Sequence, residues 1–165
     1  MKFRGERPLY DAEGNVQEHA ALSEEQLVDA ILCWSALPGA SRHHWGTELD
    51  LIDRAAMPEG YRVQLVPAET EPGGVFHGLR CWLDENMARY GFYRPYASFR
   101  GGVLPEPWHV SYAPAASVAV TRVTTELLAQ VIGESDMLGK DIVLRKLGDI
   151  HRRYVANVDV PSAPA

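Results

Sequence analysis

Two short segments constrain this chain more than anything else in it. They are residues 41–50, Ser-Arg-His-His-Trp-Gly-Thr-Glu-Leu-Asp, and residues 106–109, Glu-Pro-Trp-His. The first carries an imidazole and a carboxylate seven positions apart; the second carries a carboxylate and an imidazole three apart. His43, Asp50 and His109 together would make the two-histidine, one-aspartate ligand set of a catalytic zinc centre, with one position left open for water. His44 is the alternative to His43 within the first segment. Glu106 is left over beside the site and free to act as a base. For these groups to meet, the chain must fold back so that the two segments lie side by side. On that ground the chain reads as a zinc hydrolase.

The local chemistry says how they can meet. Seven is an odd spacing, so on one uninterrupted strand His43 and Asp50 would face opposite sides of a sheet. Gly46 offers the cheap place to break the strand. After it, residues 47–52 read as a short strand, with Glu48, Asp50 and Ile52 on one face and Leu49 and Leu51 on the other, the expected core side. Pro105 and Pro107 disfavour a helix interior around Glu106, so the second segment is not the helical His-Glu-x-x-His arrangement. Residues 108–112 read as a buried strand, with His109 and Ser111 on one face and Trp108, Val110 and Tyr112 on the other. Glu106 stands at a bend just before it.

Here the residues resemble a known family. Ser-x-His-x-x-Gly-x-x-x-Asp, followed by Glu-x-x-His with tryptophan before the histidine, is similar to the D-alanyl-D-alanine carboxypeptidases of the VanY and VanX type. Those are zinc peptidases of the hedgehog/DD-peptidase fold that cut the D-Ala-D-Ala end of cell-wall peptides or the free dipeptide. The resemblance implies one Zn2+ held by His43, Asp50 and His109, Glu106 as catalytic base, and Ser41 near the bound substrate. Residues 82–92, ending in Tyr-Gly-Phe, are similar to the family's helix and turn between the two motifs. The family's Ser-Gly-Tyr-Arg-Ser-like segment, whose arginine helps hold substrate, has no counterpart in the sequence. The expectation is that another arginine substitutes, Arg42 and Arg100 being nearest by sequence, or that the chain is an N-terminally shortened version.

The rest of the chain fills in around that site. At 165 residues it fits a single domain, 1–165, of α+β class: a small, mostly antiparallel sheet carrying the metal site and flanked by helices. Residues 1–22 read as a polar entry loop with a turn at 11–15. Ser23 caps a helix with Leu27, Val28, Ile31, Leu32 and Trp34 on its apolar stripe, closed by Pro38 and Gly39. A metal-site core spans 41–112, with a further strand at 62–66 and a helix at 75–90 burying Phe76, Leu79, Trp82, Leu83 and Met87. The loop at 94–104 follows, and Tyr93, Tyr96, Phe99 and Arg100 are the pocket-shaping candidates around it. C-terminal helices occupy 117–156, at 124–132 and 138–154 with a turn at 133–136, and residues 161–165 are expected to fray.

Single residues weigh less. His19, His77 and His151 read as structural, Trp45 and Trp108 as packing, and Cys33 and Cys81 as free buried thiols. Glu48 and Asp53 read as solvated acids or as partners of a ligand. The net charge of −6 argues against a nucleic-acid or anionic-membrane surface, and no apolar stretch reaches membrane-spanning length. The expected partner is a peptidoglycan stem peptide or the D-Ala-D-Ala dipeptide. The family resemblance implies the periplasm or cell envelope, whereas the first residues lack a signal-peptide pattern, which fits a cytoplasmic dipeptidase or a missing N-terminus. An L,D-carboxypeptidase or a cell-wall endopeptidase would use the same centre. A non-catalytic, hedgehog-like module would keep the metal and hydrolyse nothing. Oligomeric state is not legible.

Overall fold

The computed structural model describes residues 2–11 and 15–161. Two short strands, β1 (Leu9–Tyr10) and β2 (Val16–Gln17), pair antiparallel. Asp11 closes the end of this hairpin by accepting hydrogen bonds from the Asn15 backbone and side chain. Residues 12–14 of the expected 11–15 turn, and all but the first residue of the expected fraying tail, lie outside the described residues.

Helix α1 (Glu24–Trp34) starts as its sequence directs. Ser23 accepts from the Gln26 amide while the Gln26 side chain accepts from the Ser23 amide, a reciprocal capping box, and Glu24 and Glu25 sit at the positive end of the helix. Its buried face is Leu27, Val28 and Leu32. The chain then leads through Pro38 and Gly39 into a 3-10 turn, Arg42–Trp45, which Gly46 ends in the left-handed region at φ 73°. Strand β3 (Glu48–Asp50) follows directly.

Between β3 and the next helix the expected strand at 62–66 does not form. Leu65 adopts φ 53°, and the Glu69 carboxylate accepts from the Gln64 and Val66 amides and the Tyr61 hydroxyl. Backbone donors that a strand would offer to a neighbour are committed to one side chain instead. Helix α2 (His77–Asn86) and a 3-10 turn (Met87–Tyr90) cover the expected helical stretch. Phe76 and Leu83 are buried, but Trp82 lies half exposed and stacks on Tyr90.

Strand β4 (Phe92–Tyr93) leads through the loop at 94–104 to β5 (His109–Tyr112). The three-stranded sheet has the order β3-β5-β4, antiparallel throughout, with Asp50 opposite His109 and Glu48 opposite Ser111. The ladder runs on at both ends, through Leu51 N to Trp108 O and Tyr112 N to Thr47 O. Its two faces divide β3 as expected, Glu48 and Asp50 on one and Leu49 on the other, but neither is uniformly buried. Glu48 is buried, whereas Leu49 is 51% exposed and helps line a shallow apolar trough with Leu51, Trp82 and Phe92. Helix α2 and its following turn cover only part of that face, where Val110 and Leu83 are buried; on the opposite face Glu48, His109 and Ser111 are buried while Asp50 and Ile52 are exposed.

The main core lies elsewhere. Helices α3 (Ala113–Arg122), α4 (Thr125–Gly133), α5 (Lys140–Arg145) and α6 (Leu147–Ile150), with a π turn at His151–Val155, complete the described chain. Val28, Leu32, Leu37 and Ala40 pack with Leu128, Ile132, Ile142, Leu147, Ile150 and Tyr154 from these helices. Helix α4 fits the expected 124–132, with Thr124 as its cap. The single helix expected at 138–154 is three short pieces, and α3 starts before the point where the helical tail was expected. No single described helix is long and apolar enough to cross a membrane; α3 and α4 together reach that length, but bent by 70°. Cys33 and Cys81 are both free, and Cys81 is exposed rather than buried.

Candidate metal centre

The register of β3 on β5 builds the site. Asp50 and His109 are directly opposed, and both side chains project to the face shared with Glu48 and Ser111. His43 arrives from the 3-10 turn, where the left-handed Gly46 breaks the alternation and carries the ring round to the same side. One ligand atom from each of His43, Asp50 and His109 can be chosen so that all lie within 4.8 Å of one another. His43 Nε2 is 3.4 Å from one Asp50 oxygen, and His109 Nδ1 is 3.1 Å from the other. Donor atoms around a tetrahedral zinc lie roughly 3.3–3.6 Å apart, so this cluster needs little closing to hold one ion. His44 is not part of the cluster.

His109 is the buried member, 3% exposed, and its two ring nitrogens have different surroundings. Nε2 lies 2.9 Å from Glu48 Oε2. Nδ1 has the Asp50 carboxylate at 3.1 Å and Glu106 Oε2 at 3.2 Å, yet neither is aligned as a hydrogen-bond partner, leaving a buried polar atom unpartnered. A buried nitrogen aimed between two carboxylates without a hydrogen bond fits a metal ligand. Burial works against a charged His109, but Asp50, Glu106 and Glu48 outweigh it and push its pKa up to about 10. For Asp50 and Glu48 burial again opposes the charged form. His109 and His43 outweigh it for Asp50, and His109 and Arg42 for Glu48, so both carboxyls fall below the ordinary range. Three acids converging on one imidazole are the electrostatics of a cation site.

Glu106 stands at the expected bend. Its amide donates to Tyr96 O, and its carbonyl accepts from the His109 amide at 3.1 Å, which folds the carboxylate back over the strand that follows. Arg94 braces the same bend, donating from Nε to the Pro107 carbonyl at 2.7 Å and pairing with Asp84 on α2. The Tyr96 ring meets His109 edge to face, with centroids 5.0 Å apart, and burial raises its hydroxyl pKa above the ordinary tyrosine value. The cluster opens into a cleft of about 380 Å3, whose rim includes Ser41, Gln64, Leu65, Leu104 and Glu106. A larger groove of about 630 Å3 runs between the start of α1 and α5, but it holds none of these groups.

The two arginines suggested by sequence are both engaged by other side chains. Arg42 borders the cleft from beneath: its side chain is 2% exposed, paired to Glu48, bonded to Tyr93 and Ser111, and stacked over Trp45. Arg100 does not line the cleft; it is held by Asn157 and Asp159 of the C-terminal segment. Ser41 does line it. Of the aromatic-loop candidates, Tyr96 reaches the site, Tyr93 lies behind Arg42, and Phe99 is exposed and away from it. Sequence reasoning left Glu48 undecided between a solvated acid and a ligand's partner. The signal present was its place two residues before Asp50 on one strand, hence on the same face.

A family model described as VanY, D-alanyl-D-alanine carboxypeptidase, matches residues 5–115, which include every residue of this cluster. The chain belongs to the VanY family. An uncharacterized protein of Haemophilus influenzae is 38% identical over 127 residues, covering 76% of this chain and 95% of that protein. A D-alanyl-D-alanine carboxypeptidase of Enterococcus faecalis is 33% identical over 82 residues, 48% of this chain but only 25% of that protein. No solved structure matches.

Proposed function

We propose that this VanY-family chain is a zinc-dependent carboxypeptidase. Its substrate would be the D-Ala-D-Ala end of a peptidoglycan stem peptide, or the free dipeptide. The observation that carries this reading is the register of Asp50 against His109, which gathers two imidazoles, a carboxylate and the separate carboxylate of Glu106 at one end of a cleft. The kinship to the hedgehog/DD-peptidase fold and a working place at the cell envelope belong to the same proposal.

His43, Asp50 and His109 would hold the ion. When bound, it supplies Lewis acidity, which lowers the pKa of a water toward about 7 and polarises a carbonyl. The chain's own part is proton transfer and placement. Glu106 takes the proton from water as the scissile carbonyl is attacked, then hands it to the departing amine of the terminal D-amino acid. Its side chain is about one-third exposed, open to the cleft and still beside His109. Ser41 at the rim hydrogen-bonds the substrate. Leu65 and Leu104 give the cleft an apolar wall suited to a small aliphatic side chain. A module that only binds metal has no use for an acid in the position of Glu106.

Release of D-Ala from a pentapeptide ending in D-Ala-D-Ala tests this. Glu106→Ala should keep its zinc and lose turnover by about 10²–10⁴-fold. Equal turnover in the two proteins removes Glu106 from the role. A panel of tetrapeptide, pentapeptide and cross-linked substrates separates D,D-carboxypeptidase from L,D-carboxypeptidase and endopeptidase activity.

A further inference from the structure

We propose that Glu48 is a positioning residue for the metal centre: its buried carboxylate fixes the His109 ring so that Nδ1 is the nitrogen offered to the cation. The inference rests on the metal reading of His43, Asp50 and His109.

A carboxylate has no proton to give, so the 2.9 Å contact between Glu48 Oε2 and His109 Nε2 makes Nε2 the donor. In the neutral ring the lone pair then belongs to Nδ1. That is the nitrogen lying between Asp50 and Glu106, and the one without a hydrogen bond. A flipped ring would put carbon where Nδ1 now stands and give up the bond to Glu48.

Glu48 is itself held from all sides. Its other oxygen accepts from Ser111 Oγ at 2.8 Å and Thr47 Oγ1 at 2.9 Å, and meets Arg42 Nη2 at 3.1 Å. The Glu48 side chain is fully buried, and the Arg42 side chain nearly so. A buried acid is tolerated only when its charge is balanced and its lone pairs are used, and here both conditions hold. Arg42 is in turn fixed by the Tyr93 hydroxyl and the Trp45 ring. The order of support therefore runs from Trp45 and Tyr93 through Arg42 and Glu48 to His109. A carboxylate behind a ligating histidine sets its tautomer and orientation.

Zinc affinity, measured by competition with a chelator, tests the proposal with Glu48→Gln. This variant keeps the shape but replaces one carboxylate oxygen with an amide that can donate. Its zinc affinity should fall by about 10–100-fold, with Ser111→Ala showing a smaller loss in the same direction. Nitrogen NMR of the zinc-loaded wild type needs no variant: His109 should carry its proton on Nε2 and the metal on Nδ1. Metal on Nε2 overturns the proposal. So does a Glu48→Gln protein that melts at a lower temperature when metal-free but binds zinc as tightly as wild type, since that is a purely structural role. A wild type that binds no zinc at all removes the metal reading itself, a different failure.

Discussion

His109 is the side chain on which the cleft converges, and its surroundings make metal binding a competition with protons. Three acids hold its pKa up to about 10, whereas a ligating imidazole must be neutral. Zinc should therefore raise the melting temperature more as the pH climbs from about 6 to about 9. An equal or larger rise at the lower pH would contradict this account of His109. In chelated protein the signs run the other way. The raised His109 pKa gives stability that is full below about 6.5 and lost through about 10, while the lowered Glu48 and Asp50 carboxyls give stability lost as the pH falls below about 4.5. At this scale the sequence was informative where spacing carries chemistry: His43, Asp50, Glu106 and His109 stand in two motifs whose internal spacing is itself the signal. It was uninformative for Arg42 and Arg100, because nothing in an arginine's local sequence says whether its long side chain turns into a cleft or under it.

The elements that matter are short, and two of them are set by side chains rather than by propensity. Strand β3 is only three residues long and exists because β5 pairs with it. Alternation found both strands and their faces but not the burial of Glu48, since an acid reads as solvated on any hydropathy count unless its partners are known. The stretch 62–66 has the composition of a strand, but its structure is decided by Glu69, four positions beyond Leu65. Glu69→Ala should cost about 2 kcal/mol in chemical denaturation, the value of hydrogen bonds to a buried charged group. It should also expose the Gln64 and Val66 amides, seen as faster hydrogen exchange. Unchanged stability would mean that this loop is shaped by something else. Helix α3 escaped notice because its Ala-Pro-Ala-Ala opening and scattered valines carry no clear amphipathic period.

Over the whole molecule, the sheet that bears the candidate site and the main core are separate regions. The cluster of His43, Asp50 and His109 sits on a three-stranded sheet, while the largest apolar cluster lies between α1 and the C-terminal helices, mostly beyond the residues matched to the family. Gly102 is one place where the two are joined: a Cβ there would stand 2.0 Å from the Arg153 carbonyl in the π turn. Gly102→Ala should destabilise the chain by roughly 1–3 kcal/mol, the usual cost of overpacking, read as a lower denaturation midpoint. A neutral effect would show that the loop and the C-terminal turn are not tightly coupled. The α+β class followed from the motifs and their periodicities; the placement of the core did not, because it depends on which helices meet and not on what each contains. The most direct test of the whole account is zinc content after dialysis of purified wild type beside Asp50→Ala and His109→Ala. One zinc per chain is expected in the wild type and none in either variant. Equal metal in all three proteins, or none in the wild type, would contradict it.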